Sequence, residues 1–482
     1  MTHPPLATPL LLAATLSTLL ATLVQCGDGP VAAGAPPQDP APTVAVERLH
    51  LLVSGSMSGR LEPCGCASGQ LGGLARRMQH IGERRNYDLL LEGGDLIDGS
   101  TELDLQKLFT GKQVLFEMER GYDALGVGGK DLLLPRAEWS SFLAGVPVVA
   151  SNLQSSAPDW PARPFVEKVV RGVTVRVGSL LLALPPALPA TAPPLQLLPA
   201  AEGYARMLAG AGPDTRRIVM VHGDDAAIRA LVPLLQPSPD LVIGVDAGYV
   251  EPTATATPVG GVPLVFAGIR GRVLLDVWLS REANGARAIC ELVPLAGSKT
   301  VPGGGGDPQV KDVILAHRRD VEQHRVLEQM ARQLPTPNGA AYVGTAICAN
   351  CHPTAAKAWQ ASKHAHAWQT LVDAERDPKR YGWPVTAYPD CVGCHVVGYR
   401  EQTGFVSFAD TPDLANVGCE RCHGPGSDHV QNPGQKRYGL HGGVAASVLC
   451  SQCHDFEQSP NFLYGDRWPA IQHGREPHQI KK

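Results

Sequence analysis

Four segments place two cysteines three positions apart with a histidine directly after the second: Cys348-Ala349-Asn350-Cys351-His352, Cys391-Val392-Gly393-Cys394-His395, Cys419-Glu420-Arg421-Cys422-His423 and Cys450-Ser451-Gln452-Cys453-His454. This spacing suits covalent attachment of haem c. Two thiols reach the two vinyl groups of one porphyrin while the adjoining imidazole ligates its iron. Zinc knuckles and disulfides also use cysteine pairs, but eight of the 12 cysteines sit in complete units, which favours haem. The expectation is four covalent haems c with His352, His395, His423 and His454 as proximal iron ligands. Second axial ligands must come from His364, His366, His429, His441, His473 and His478. Six candidates face at most four positions, so some of them are ordinary surface histidines.

A second cysteine pair, Cys64-Gly65-Cys66, lies far from these motifs. It reads as a strained redox-active disulfide, a soft-metal site or simply two neighbouring thiols. Cys290 has no partner visible in the sequence and reads as a buried, inert thiol near a strand end.

The elements that must position these groups fall into distinct stretches. With 482 residues and 44% apolar content the chain holds two or three domains. Residues 1–25 run into an apolar stretch, Leu10 to Leu20, that is short for a membrane span and suited to a signal peptide. Cys26 follows it in a lipobox-like context, so lipid anchoring and simple cleavage both stay open. Residues 26–43, rich in Ala, Pro and Gly, form a flexible tether. From 44 to 297 short apolar runs such as Leu51-Leu52-Val53 and Leu89-Leu90-Leu91 alternate with helix-like segments, the rhythm of an α/β domain. Residues 298–340 comprise a Gly-rich hinge, a helix predicted from Pro308 to Leu334, and a linker after Pro335. The region 341–482 is poor in strand-like runs and is expected to be mainly helical and organised around its haems rather than a hydrophobic core. Acidic and basic residues nearly balance, 46 to 42, which leaves no polybasic footprint for nucleic acid.

The C-terminal region resembles the tetrahaem cytochrome c-554 family. The resemblance rests on Tyr342-Val343-Gly344, on Ser362-Lys363-His364-Ala365-His366-Ala367, and on Gly418 to Gly426 followed by His429. It implies that His364 or His366, His429 and, less directly, His473 are distal iron ligands. It also implies that one haem can lack a distal protein ligand; the resemblance does not single it out, and the Cys391 haem is taken as the candidate.

Further upstream, Gly59-Arg60-Leu61-Glu62-Pro63, Gly72-Gly73-Leu74-Ala75-Arg76-Arg77, Glu92-Gly93-Gly94-Asp95 and Ala124-Leu125-Gly126 resemble the calcineurin-like metallophosphoesterase domain of periplasmic 5'-nucleotidases. That resemblance implies a two-sheet α/β sandwich, and a two-metal centre in which carboxylates and histidines hold the ions. Here the ligand positions carry Ser56-Met57-Ser58, Gly128-Gly129-Lys130 and Gly244-Val245-Asp246-Ala247; Asp95 and His222 alone match. Metallophosphatase activity is therefore not expected, and Cys64 and Cys66 become candidates for a redox or sulfur-handling dithiol beside the former substrate cleft.

The reading is an exported, periplasmic or lipid-anchored cytochrome of the bacterial envelope. Its partners are redox proteins, with a small-molecule substrate as a further option, and membrane attachment would come only through Cys26. The alternative is a haem-based oxidoreductase acting on a small nitrogen or sulfur compound.

Overall fold

Leu49, Leu51 and Val53 of strand β1 (Arg48–Ser54) enter one apolar cluster, whereas Leu52 between them enters another. Side chains of a strand alternate between faces, so a fully apolar run marks a strand covered on both sides. β2 (Leu89–Glu92), β3 (Ala124–Gly126) and β4 (Val148–Val149) continue from β1 as parallel neighbours. The chain then leaves this sheet through β5 (Leu153–Ser155) and begins a second one with the antiparallel pair β6 (Val166–Val170) and β7 (Val173–Leu181). After β8 (Leu195–Leu197), which pairs with β5, the second sheet is completed by β9 (Arg216–His222), β10 (Leu241–Val245), β11 (Thr257–Val259) and β12 (Val262–Phe266). Its order is β11-β12-β10-β9-β7-β6. β13 (Val273–Glu282) returns to the first sheet antiparallel to β1 and β14 (Gly285–Pro294) pairs antiparallel with β13, giving β14-β13-β1-β2-β3-β4.

The computed structural model describes residues 48–473 apart from 64–65, 67–68, 85, 119–120, 246–254, 283–284, 298–303, 337–338, 378–380, 434–439 and 441–442. The two sheets pack face to face through Val53, Leu91, Val177, Ile218, Ile243 and Val277, and each outer face is covered by helices. This is the α/β sandwich flanked by helices that the phosphoesterase resemblance implied. Residues 1–45 form a separate unit outside the described residues, as do the signal-peptide, tether and Cys26 readings. The sandwich and the C-terminal region lie in one compact unit, residues 46–482.

Asp307 caps the next helix as its type predicts: its Oδ1 accepts from the backbone N–H groups of Gln309 and Val310, and Pro308 takes the first helical position. The helix differs from expectation further on. It spans Pro308–Gln323 and then breaks, because Arg325 is left-handed (φ 53°), before a short Val326–Met330 helix. The break turns Val326, Leu327 and Met330 into an aromatic cluster with Trp368, Trp383, Tyr388 and Phe405, joined by Leu103 of the sandwich. Residues 368–415 thus have an ordinary apolar core, contrary to the expectation that haem alone organises the region. The short helices Thr345–Ala349, Ser427–Gln431 and Ala446–Ser451 do fit that expectation, since they bury no side chain.

Candidate haem sites and the cavity beside the sandwich

Each motif lies on a short helix: Thr345–Ala349, Pro389–His395, Cys419–His423 and Ala446–Ser451 start or carry them. One helical turn brings both thiols and the histidine of a motif to one side. Glu420, at a variable position of the third motif, organises its surroundings. Its buried carboxylate accepts from the backbone N–H groups of Val343, Gly344 and Gly426 at 2.8–3.1 Å, which ties Tyr342-Val343-Gly344 to the Gly424-Pro425-Gly426 loop. Sequence reasoning missed this role, although the acidic residue beside two glycine-bearing segments was its signal.

Three motif histidines each face a histidine from elsewhere. His352 and His429 have ring centres 6.0 Å apart, His364 and His454 6.1 Å, and His423 and His473 5.8 Å. A metal–imidazole nitrogen bond is about 2 Å long, so two imidazoles sharing one ion have ring centres about 6 Å apart. The donor set therefore fits iron held between each pair. His366 is exposed and, among the described residues, faces no motif histidine, which separates it from His364. His441 and His478 lie outside the described residues. His395 is the exception among proximal candidates: its Nδ1 meets the Ala367 carbonyl at 2.6 Å, and among the described residues no second imidazole lies against it.

Neighbouring groups fix these rings. His454 Nδ1 lies 2.9 Å from Ser459 Oγ, and Phe462 stacks on the His454 ring at 4.3 Å. Hydrogen bonds to the free ring nitrogen set which nitrogen is left to bind metal. Thiols of different motifs also meet. The Cys348 thiol lies against Cys419, and the Cys394 thiol against Cys453. Cys422 lies near Cys450 and Cys453. Motif one therefore adjoins three, three adjoins four, and four adjoins two.

Motifs two and four share a cavity of about 840 Å³ with the sandwich. Cys391, Cys394, His395, Cys453 and His454 line it from the helical region. Arg60, Glu62, Cys66, Lys107 and Arg318 line it from the other side. Arg318 bonds Glu62 at 2.8 Å and lies over Trp383, while Lys107 pairs with Asp390. A second clamp follows motif four, where Arg270 reaches Asp455 and Glu457 and Gln70 donates to the Glu457 carbonyl. Cys66 is exposed, and Cys64 lies outside the described residues. Cys290 is half-buried within β14 rather than near its end, and burial pushes its thiol up to about 11.

The phosphoesterase ligand positions gather at the carboxyl ends of β1, β2, β3 and β9. Ser56, Ser58 and Asp95 are buried with left-handed backbones, φ 50–51°. Asp95 accepts from the Lys130 N–H, and the Lys130 ammonium reaches Ser58 and Asp98. Asp131 accepts three backbone N–H groups, yet burial and then Asp95 push it up to about 7. His222 is buried, and burial lowers its pKa against the pull of Asp95 and of the Gly93 backbone. Asp246 and Ala247 lie outside the described residues.

Sheets, short helices and facing imidazoles define a molecule in two parts, an α/β sandwich followed by a helical region with the attachment motifs of a c-type cytochrome. Residues 347–424 match the family described as cytochrome c554 and c-prime, which implies covalently bound haem c. A stretch of 93 residues is 39% identical to cytochrome c-554 of Nitrosomonas europaea, covering 18% of this chain and 40% of that protein. The 5'-nucleotidase precursor of Thermus thermophilus superposes with a TM-score of 0.44 at 19% identity, over 62% of this chain and 63% of that one. The calcineurin-like phosphoesterase YfkN of Bacillus subtilis gives 0.41 at 16% identity, over 57% and 97%. The C-terminal region thus resembles the cytochrome c-554 family, as its motifs indicated. No helix among the described residues is long and apolar enough to cross a membrane.

Proposed function

We propose that this chain is an exported multihaem c-type cytochrome whose function is electron transfer, with a phosphoesterase-like sandwich kept for binding a substrate or partner. The observation that carries the reading is the set of three imidazole pairs at 5.8–6.1 Å, each containing one motif histidine. Haem c, when bound, supplies a reversible one-electron couple at its iron. The eight motif cysteines would hold four such groups, His352, His395, His423 and His454 would be proximal ligands, and His429, His364 and His473 would be the distal ligands of three. Serial adjacency of the motifs, one to three to four to two, is what a conductor requires. Boundaries at 44, 298 and 341 separate sandwich, connector and cytochrome region. Residues 1–25 would direct export to the periplasm, with Cys26 as a site for lipid, and the partners would be redox proteins.

For the sandwich, Asp95 and His222 do not make a two-metal centre, and the Lys130 ammonium repels a divalent ion. The domain would be catalytically degenerate, with Cys64 and Cys66 acting as a redox dithiol beside the cavity that Cys66 lines. One observation favours a second reading, a haem-based oxidoreductase on a small nitrogen or sulfur compound: among the described residues His395, unlike the other three motif histidines, faces no second imidazole.

Mass spectrometry and low-temperature EPR of the purified holoprotein test both readings. Four haem additions, three low-spin signals and one high-spin signal are expected. His364→Ala should convert one low-spin haem to high spin, and His366→Ala should convert none. Fewer than four haems, or conversion by His366→Ala alone, overturns the assignment.

A further inference from the structure

We propose that the free edge of β14 pairs with β14 of a second copy of this chain, the two strands running antiparallel about a two-fold axis at Ile289. The inference is independent of the haem assignments and concerns the sandwich alone.

A strand at the end of a sheet presents unpaired N–H and C=O groups, and folds blunt such edges by keeping them short, charged or covered. The two six-stranded sheets end in β4, β6, β11 and β14. The first three hold two, five and three residues, whereas β14 holds ten, so β14 is the long edge. One side of it pairs with β13 in unbroken register, from Val273 opposite Pro294 to Glu282 opposite Gly285. Among the described residues no strand pairs with its other side; Leu71 meets Ala296 only beyond the strand's end. Every second residue of β14 therefore directs its backbone N–H and C=O away from β13.

Side chains decide what that edge accepts. Strand alternation puts Arg287, Ile289 and Glu291 on one face, all exposed, and Ala288, Cys290 and Leu292 against the core between the sheets. Two copies paired about Ile289 set Arg287 of each opposite Glu291 of the other. Opposite charges across a strand pair stabilise it, and like charges oppose it. An edge bearing one sign of charge would repel its own copy; this one carries both signs at equal distance from its middle. The nearest partner of Arg287 is Glu282 of the same hairpin, 3.7 Å away with both side chains largely exposed, which leaves the guanidinium available. Ile289 also lies across from Trp278, whose ring stacks on His50 at 5.0 Å, so the two-fold joins two such rows through their isoleucines. Centring the pair one residue later, on Cys290, would set Ile289 against Glu291 and Arg287 against Val293, and would bring Pro294, which has no N–H, into the ladder. Charge thus selects the second copy as partner and fixes the register, while the backbone supplies the hydrogen bonds.

Sedimentation of the purified holoprotein over a range of concentrations reads the association. Wild type should be dimeric at the upper end of the range. Glu291→Arg sets like charges opposite each other at both ends of the pair and should weaken the dimer at least about tenfold. The double variant, Arg287→Glu with Glu291→Arg, restores opposite charges in exchanged places and should recover the dimer. Unchanged haem spectra and melting temperatures show that both variants fold. A wild type that stays monomeric overturns the inference. A dimer indifferent to Glu291→Arg places the contact on another surface and overturns it too, and a double variant that stays monomeric rejects the register about Ile289.

Discussion

A single hydroxyl, that of Ser459, would tune His454 in its proposed role as an iron ligand. With His454 bound through its other nitrogen, Nδ1–H donates to Ser459 Oγ at 2.9 Å, which adds electron density to the ring and favours the oxidised metal. A net hydrogen bond of about 1 kcal/mol corresponds to about 40 mV for one electron. Ser459→Ala should raise one haem potential by that order in spectroelectrochemistry, and Ser459→Thr should restore it. Residue-level chemistry was largely legible where it is local. A C-x-x-C-H unit announces itself because both thiols and the imidazole must lie within one turn. The facing imidazoles were legible only as a shortlist of histidines, because His352 meets His429 through tertiary packing that no spacing rule encodes. Glu420 escaped for the same reason, since its three donors arrive from segments on either side of the chain.

Elements carry the next tier of consequence. The Pro308–Gln323 helix places His317 against Thr110, Tyr388 and the Lys107–Asp390 pair. Burial, then Lys107 and Arg318, hold its pKa down at about 4 against the pull of Asp390. The unfolded chain takes up this proton near pH 6.5, whereas the folded one refuses it until pH falls to about 4. The stability that His317 contributes is thus complete above about pH 6.5 and is lost progressively toward pH 4, up to about 3 kcal/mol. Melting temperatures of wild type and His317→Gln between pH 4 and 7 check this: the wild-type curve should fall more steeply, and parallel curves would refute it. Arg270 joins the sandwich to the segment after motif four, so Arg270→Ala should destabilise the protein by about 1–3 kcal/mol in urea unfolding. The strands were readable because buried parallel strands are uniformly apolar. The helix end was not, because Arg325 adopts a left-handed turn for the sake of burying Val326 and Met330, a tertiary demand.

At the scale of the whole molecule, the strand-end loops of the α/β sandwich face the region that carries the C-x-x-C-H motifs, and the proposed loss of metal ligands can be tested directly. Adding Mn²⁺ or Zn²⁺ should leave the hydrolysis of a chromogenic phosphoester at background; metal-dependent turnover would contradict the degenerate reading. The α/β class was legible from the rhythm of its apolar runs, but the docking of Arg60 and Arg318 beside motif two was not, since charged side chains have no period that reveals their partner. The facing imidazoles carry a last consequence. Their partners are 50 to 90 residues apart in sequence, and the spans interlace: 352–429 overlaps 364–454, which overlaps 423–473. A bond that closes a long loop removes entropy from the unfolded chain, and overlapping closures restrict one another. Iron ligation would therefore act as a set of interlocked clips, so that the order in which the spans close governs how the C-terminal region reaches its final shape.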